Sequence, residues 1–191
     1  EFMGSPYNYL VFDQYMKSPL WTTGNAMISR FPPRIVHRHL FGAEDALDTR
    51  MGHFFKDFIH VETLIGERNL QIIYTHLDDG ENEYSFRRKE QVGELTAYVN
   101  NYVARNQNSY IVLAGDLNDE RESVNLKKIL KSGKLHPPAQ GFGQPTYPSD
   151  KPITDLDHIL ASNTIAIHNY RTFLFPWSDH RGLMCELEFL E

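Results

Sequence analysis

The chain has 191 residues, 41% hydrophobic and 13% aromatic, and a formal net charge of −6. Such a chain fits one globular domain spanning 1–191 with a real core, and a disordered or low-complexity protein is excluded. The negative balance argues mildly against a protein that coats nucleic acid over its whole surface, and no apolar run approaches the roughly 18–20 residues that cross a bilayer.

The opening, Glu1-Phe2-Met3-Gly4-Ser5, lacks the charged and apolar regions of a signal peptide. The first β-rich runs are Phe54 to Leu64 and Asn69 to His76, separated by Gly66-Glu67-Arg68, which reads as a hairpin. Ser85 is a suitable cap for a helix running to about Arg105, with Val92, Leu95, Val99 and Tyr102 at helical spacing. Asn106 to Ser109 break it. Tyr110 to Ala114 is then a short continuous apolar run, the mark of a buried central strand.

A second helix, near Glu122 to Lys131, carries Leu126, Ile129 and Leu130 on one side and stops at Gly133. Leu135 to Pro152, rich in Pro, Gly and Gln, reads as a long surface loop, with Phe142 and Tyr147 expected to line an entrance. Leu156 to Ala161 and Ile165 to His168 read as strands, and Leu183, Cys185, Leu187 and Phe189 alternate with polar residues in a half-buried last strand. Cys185 therefore reads as a buried, inert thiol. As the single cysteine it excludes an intrachain disulfide and favours a reducing, cytoplasmic location. The basic clusters, Arg87-Arg88-Lys89 among them, read as solvated faces, and no exposed apolar residues suited to entering lipid stand out.

Chemistry enters at the strand ends. His76 ends one strand, Asp116 with Asn118 follows the buried run, and Asp157, Asp179 and His180 flank later ones. Gly115-Asp116-Leu117-Asn118, read as extended, sets a carboxylate and an amide on one side of the chain. Alone, it reads sooner as an Asx turn. An acid–imidazole pair needs a carboxylate to orient His180, for which Asp157 is the candidate and Asp155 its competitor. His158 is open to a core role. Of nine histidines only His76 and His180 read as functional. There is no zinc-type Cys/His spacing, Gly-rich phosphate loop or Gly-x-Ser-x-Gly elbow. Hard oxygen donors favour magnesium or manganese.

Taken together, Gly24 to Pro32, Thr75-His76-Leu77, Gly115 to Asn118, Leu156 to Leu160 and Ser178-Asp179-His180 resemble the endonuclease/exonuclease/phosphatase superfamily. Thr146 to Pro152 resembles the same stretch in bacterial members. The resemblance implies an α/β (α+β) deoxyribonuclease I-like fold, a four-layer sandwich of two packed mixed β-sheets flanked by helices. It also implies a metal-dependent phosphoric ester hydrolase. His180, oriented by Asp157, would stabilise or protonate the phosphoryl centre. Asp116 would activate water with Asn118 beside it, and His76 would contact the scissile phosphate. Asp179 and Asn118 would help bind Mg²⁺ or Mn²⁺.

Family members also begin with strands bearing an Asn and a Gln-Glu pair whose Glu is the principal metal ligand. Only a short stretch precedes Gly24 here, so a chain truncated at its N-terminus is expected, with Glu1 either the candidate for that Glu or, with Phe2, foreign to the natural protein. The expected activity is that of a nuclease or related phosphodiesterase acting on a phosphate ester, nucleic acid included. The alternatives are a lipid or inositol phosphate phosphatase, and a non-catalytic binding domain with an incomplete metal site.

Overall fold

A computed structural model describes residues 8–17, 22–42, 56–80, 85–106, 108–132 and 134–190. Glu1, Phe54, Phe55 and Gly133, which figure in the sequence reading, lie outside them. The strands are β1 (Tyr9–Lys17), β2 (Thr22–Ser29), β3 (Pro33–Leu40), β4 (Asp57–Ile65), β5 (Arg68–His76), β6 (Tyr110–Asp116), β7 (Leu135–His136), β8 (Asp157–Ser162), β9 (Ile165–Phe173) and β10 (Gly182–Phe189). The helices are α1 (Ser85–Arg105) and α2 (Val124–Ser132).

Six strands form one sheet in the order β3-β4-β5-β6-β8-β7. Only β5 and β6 run parallel. A parallel pair needs a long crossover, and α1 lies in it. Alternation along the strands gives the sheet two different faces. Phe58, Ile73, Leu113 and Leu160 pack against Val92, Leu95 and Val99 of α1 and Leu126 and Ile129 of α2. On the other face, Ile59, Val61 and Tyr74 meet Val11 and Met27 of the β1–β2 pair. Beside them Val112, Ala114, Ile159 and Ala161 meet Ile167, Leu183 and Leu187 of the β9–β10 pair. The central strands are thus covered on both sides, which accounts for their continuous apolar runs. The architecture is the mixed α/β arrangement expected from the sequence. No described helix is long and apolar enough to cross a membrane.

Five strands and one residue differ from the sequence reading. Strands β1 to β3 precede the first one expected, and β3 is hidden by Arg34, His37, Arg38 and His39 on an edge where every residue is half-buried or exposed. The predicted loop from Leu135 begins with β7, two residues paired to Ser162 and Ala161. Strand β9 runs past His168 to Phe173. Its register to β10 shifts beside Asn169, whose φ of 52° marks a bulge that reads in sequence as a strand end. Cys185 is half-buried, and burial pushes its thiol up.

His60 shows how a polar group is accommodated on the helix-covered face. It is 0% exposed. Its Nδ1 lies 2.7 Å from the Tyr98 hydroxyl and its Nε2 2.9 Å from Gln71 Oε1. A neutral ring satisfies both contacts, accepting from Tyr98 and donating to Gln71. Burial, ahead of all other influences, lowers its pKa to about 4. Between an ordinary value near 6.5 and about 4 the unfolded chain takes up a proton that the folded chain refuses. Stability tied to this group is therefore complete above that window and lost as pH falls through it. We predict a loss of about 2 kcal/mol between pH 7.5 and pH 5. Guanidinium melts at the two pH values measure it. His60→Gln, which can accept from Tyr98 and donate to Gln71 without titrating, is expected to flatten the slope, and an unchanged slope would refute the assignment.

Candidate functional site

Three adjacent strands end in one row. In the register of the sheet His76 of β5 lies opposite Asp116 of β6, and Asp116 lies opposite Asp157 of β8. All three belong to the face away from the helices, because each is an even number of residues from Tyr74, Ala114 or Ile159. The ladder continues past the row, with Leu77 N–H donating to Asp116 O at 2.9 Å and Leu117 N–H to Leu156 O at 3.0 Å. One position earlier Gly115 faces Thr75 at φ 144°, and a Cβ there would stand 1.9 Å from the Thr75 carbonyl oxygen. Only glycine permits strands β5 and β6 to run this close where they deliver their polar ends.

His180 reaches the row from the loop before β10. Its Nδ1–H donates to Asp157 Oδ2 at 2.8 Å, and its Nε2 stands 3.9 Å from Asp116 Oδ2. His76 Nε2 is 3.5 Å from the same Asp116 oxygen. Asp155, the competing partner, is buried elsewhere and accepts the Arg121 N–H. His158 is a core residue whose Nε2 bonds the Asp119 carbonyl.

Asp116 and Asn118 form the Asx turn, with Asn118 N–H donating to Asp116 Oδ1 at 2.9 Å and Asn118 at φ 51°. This corrects the extended reading of the tetrapeptide. The turn nevertheless serves the site, since Asn118 Nδ2 is tied to the Leu77 carbonyl and the residue lines the cleft beside Asp116.

Thr146 joins the two halves of the acid–imidazole pair. Its hydroxyl accepts from the amides of Leu156 and Asp157, and its carbonyl accepts Arg181 N–H at 2.7 Å. Ser149 N–H donates to the Asp179 carbonyl at 2.7 Å. The segment expected to be a surface loop is therefore a brace, and Tyr147, as expected, stands at the entrance with its ring 4.9 Å from the His180 imidazole.

The cleft so formed measures about 1260 Å³, and His76, Asp116, Asn118, Asp157, Asp179 and His180 all line it. Asp79, Arg88 and Ile153 line it too, none of them a site residue in the sequence reading. Arg88 is no solvated residue. Its Nε lies 3.1 Å from Asp119 Oδ2 and its guanidinium donates to the Asp78 carbonyl, bracing the first turns of α1 against two loops of the site. Nothing in the run Arg87-Arg88-Lys89 distinguishes the inward arginine. The position one helical turn before buried Val92 was the available signal.

Charge is crowded here. Burial, then the Asp157 carboxylate, pushes Asp116 up to about 6. Burial alone would lower His180, but the hydrogen bond and charge of Asp157, with Asp116 and Asp179 behind them, raise it. His76 is lowered by burial and then by the Lys56 ammonium, so it is a neutral ring at pH 7. Asp116, Asp157 and His180 bring potential ligand atoms within 4.8 Å of one another. The Asp157–His180 bond occupies one atom of each, which leaves Asp116 as the acid of the three outside that bond, with Asn118 and Asp179 lining the same cleft. Hard oxygen donors of this kind, beside a carboxyl whose ionisation burial and Asp157 oppose, fit a divalent cation.

Comparison with known proteins gives the same frame. The model of the endonuclease/exonuclease/phosphatase family matches residues 3–180. No curated protein sequence matches the chain. Among solved structures, an endonuclease/exonuclease/phosphatase from Beutenbergia cavernae superposes with TM-score 0.69 at 18% identity, over 95% of this chain and 53% of its own. The human Nocturnin catalytic domain with bound sulfate gives 0.69 at 19%, over 96% of this chain and 73% of its own. D. rerio TDP2 complexed with single-strand DNA product gives 0.63 at 13%, over 94% and 77%. At these identities the likeness is one of fold. The chain spans about half the length of the Beutenbergia protein.

Two outcomes test this geometry. In Asp157→Asn the His180 ring is expected to titrate lower by about one unit or more, followed by NMR of the imidazole protons. An unmoved titration would dissociate the two residues. Thr146→Val, which leaves the Leu156 and Asp157 amides without their acceptor, is expected to cost about 1–2 kcal/mol in chemical denaturation, while Thr146→Ser retains the stability.

Proposed function

The chain belongs to the endonuclease/exonuclease/phosphatase family, and on that premise we propose that it is a divalent-metal-dependent phosphodiesterase. The observation that carries the reading is the His180–Asp157 bond of 2.8 Å with Asp116 beyond it. A binding domain has no use for an imidazole held in one tautomer against a carboxylate. Hydrolases of phosphoester bonds make up the family.

In the proposed reaction water attacks phosphorus in line with the ester oxygen. Asp116, whose carboxyl is raised toward the working pH, takes the proton of that water. The ester P–O bond breaks as the new one forms. His180, whose pKa Asp157 and its neighbours raise, faces the phosphoryl group with Nε2 and in its protonated form offsets the charge gathering on its oxygens. Neutral His76 donates from the opposite side of Asp116. Asp179 and Asn118, with Asp116, would hold the ion, and Glu1 keeps the role that the family resemblance implies for it. A bound magnesium or manganese ion supplies Lewis-acid charge to the phosphoryl oxygens. An unpaired nucleic acid strand is one substrate of this class, in line with the single-strand DNA product held by the TDP2 structure.

Hydrolysis of an aryl phosphodiester with added Mg²⁺ or Mn²⁺ tests the proposal. Turnover is expected to vanish with EDTA and to fall by about 10²–10⁴ in His180→Ala and in Asp116→Ala, with melting temperatures preserved. Metal binding without turnover would instead identify a non-catalytic domain of this fold.

A further inference from the structure

Two side chains of α1 reach the cleft end of the sheet. Arg88 and Gln91 stand one turn apart on the side of the helix that carries Val92 and Leu95 into the core. Gln91 Oε1 accepts the Asp78 N–H at 2.8 Å, and Arg88 Nη1–H donates to the Asp78 carbonyl at 3.0 Å. Both backbone groups of Asp78, two residues after His76, are therefore held by one helix. The Asp78 side chain closes the loop in turn, accepting Gly80 N–H at 3.1 Å.

The same guanidinium reaches the loop after β6. Its Nε stands 3.1 Å from Asp119 Oδ2, out of line for a hydrogen bond but close enough to pair charge, while Asn125 Nδ2–H donates to that oxygen at 2.9 Å. The Asp119 carbonyl accepts His158 Nε2–H at 2.7 Å, one residue beyond Asp157. Arg88 thus touches the loops of β5 and β6 at once and reaches β8 through Asp119. Asn118, next to Asp119, closes the turn on Asp116 and crosses to the Leu77 carbonyl. The Arg88 side chain is 16% exposed and that of Asp119 10%. An ion pair so deep pays heavily in lost hydration and is a poor source of stability. What it does provide is a fixed spacing between the two loops.

We infer that Arg88 is a positioning residue, which fixes the Asp116–Asn118 turn against the His76 loop and so sets the affinity of the cleft for its divalent cation. The inference rests on the metal-dependent reading of that cleft. Groups behind the ligands of a metal site typically account for about 10–100-fold in affinity. Charge gives the inference its sign. Removing a cation from beside a metal site strengthens metal binding through the field alone. Positioning demands the reverse.

The test is Mn²⁺ binding to the full chain, followed by electron paramagnetic resonance without substrate. Arg88→Met is expected to weaken binding by about 10–100-fold although it removes a positive charge. Asp119→Asn keeps an acceptor for Asn125 and lies outside the lining of the cleft. It loses the ion pair and a negative charge together, so it is expected to weaken binding further. The double variant removes both charges and is expected to fall between the two. In the aryl phosphodiester assay the Mn²⁺ concentration for half-maximal rate should rise in step, with the KM of the ester unchanged.

Tighter or unchanged binding in Arg88→Met, or wild-type affinity in the double variant, would overturn the inference. So would a raised KM at unchanged Mn²⁺ affinity, which would put the guanidinium on the phosphate itself. Should Arg88→Met not fold, the double variant, which leaves no unpaired buried charge, carries the comparison. A wild-type chain that binds no Mn²⁺ would overturn the metal-dependent reading as well, whereas binding that ignores Arg88 overturns this inference alone.

Discussion

Everything at the site depends on the register of three strands. His76, Asp116 and Asp157 meet because β5, β6 and β8 are paired so that their polar ends fall in one row. A slip of one residue would turn Asp116 toward the helices and bring Leu113 and Leu160 out of the core. The hydrophobic alternation that forbids the slip is therefore also what aligns the chemistry. Gly115 is the tightest point of that constraint, since any side chain there would collide with the Thr75 carbonyl.

The row has an electrostatic extension on β4. Asp57 lies on the same face as Ile59 and Val61, buried beneath the β1–β2 pair, where Asn25 Nδ2 donates to its carboxylate. Burial pushes its carboxyl up to about 6, with the Asn25 bond opposing and the Asp13 carboxylate adding to the rise. The asparagine of Gly24-Asn25-Ala26 thus has a physical role at a distance from the cleft. It gives a hydrogen bond to an acid buried in an otherwise apolar layer. Acids at Asp57, Asp116 and Asp157 are tolerated side by side because each has a different partner, namely an amide, an Asx turn and an imidazole.

Much of this was legible in the sequence for a reason that can be stated. Strands β4, β5, β6 and β8 and helix α1 announce themselves because their apolar residues follow the period of the faces they bury. His76, Asp116, Asn118 and Asp157 stand at or beside the ends of those clear elements, Asp179 and His180 stand just before β10, and all six line one cleft. What stayed hidden was decided by contacts between distant segments. Arg88 looks like its neighbours until α1 is laid against the Asp119 loop. Thr146 looks like one more loop residue until β8 and Arg181 are brought to it. Phe173 to Trp177 look like core because composition carries no record of a turn, yet Leu174 is 61% and Trp177 84% exposed. The choice between Asp155 and Asp157 needed the path of the backbone, which sends one into the Arg121 turn and the other to His180.

Thr146 pins one end of a segment whose other end is fixed where Thr154 bridges back to Tyr147. Between Ser149, which holds Asp179, and Ile153, whose N–H donates to the Tyr147 carbonyl at 2.8 Å, the chain is an overhang carrying Asp150, Lys151 and Pro152. Insertions, deletions or exchanges there leave the backbone of Asp157 and Arg181 where it is. Descendants of such a chain can therefore change what docks at the mouth without disturbing the machinery below, so that what is recognised and what is done to it become separately heritable.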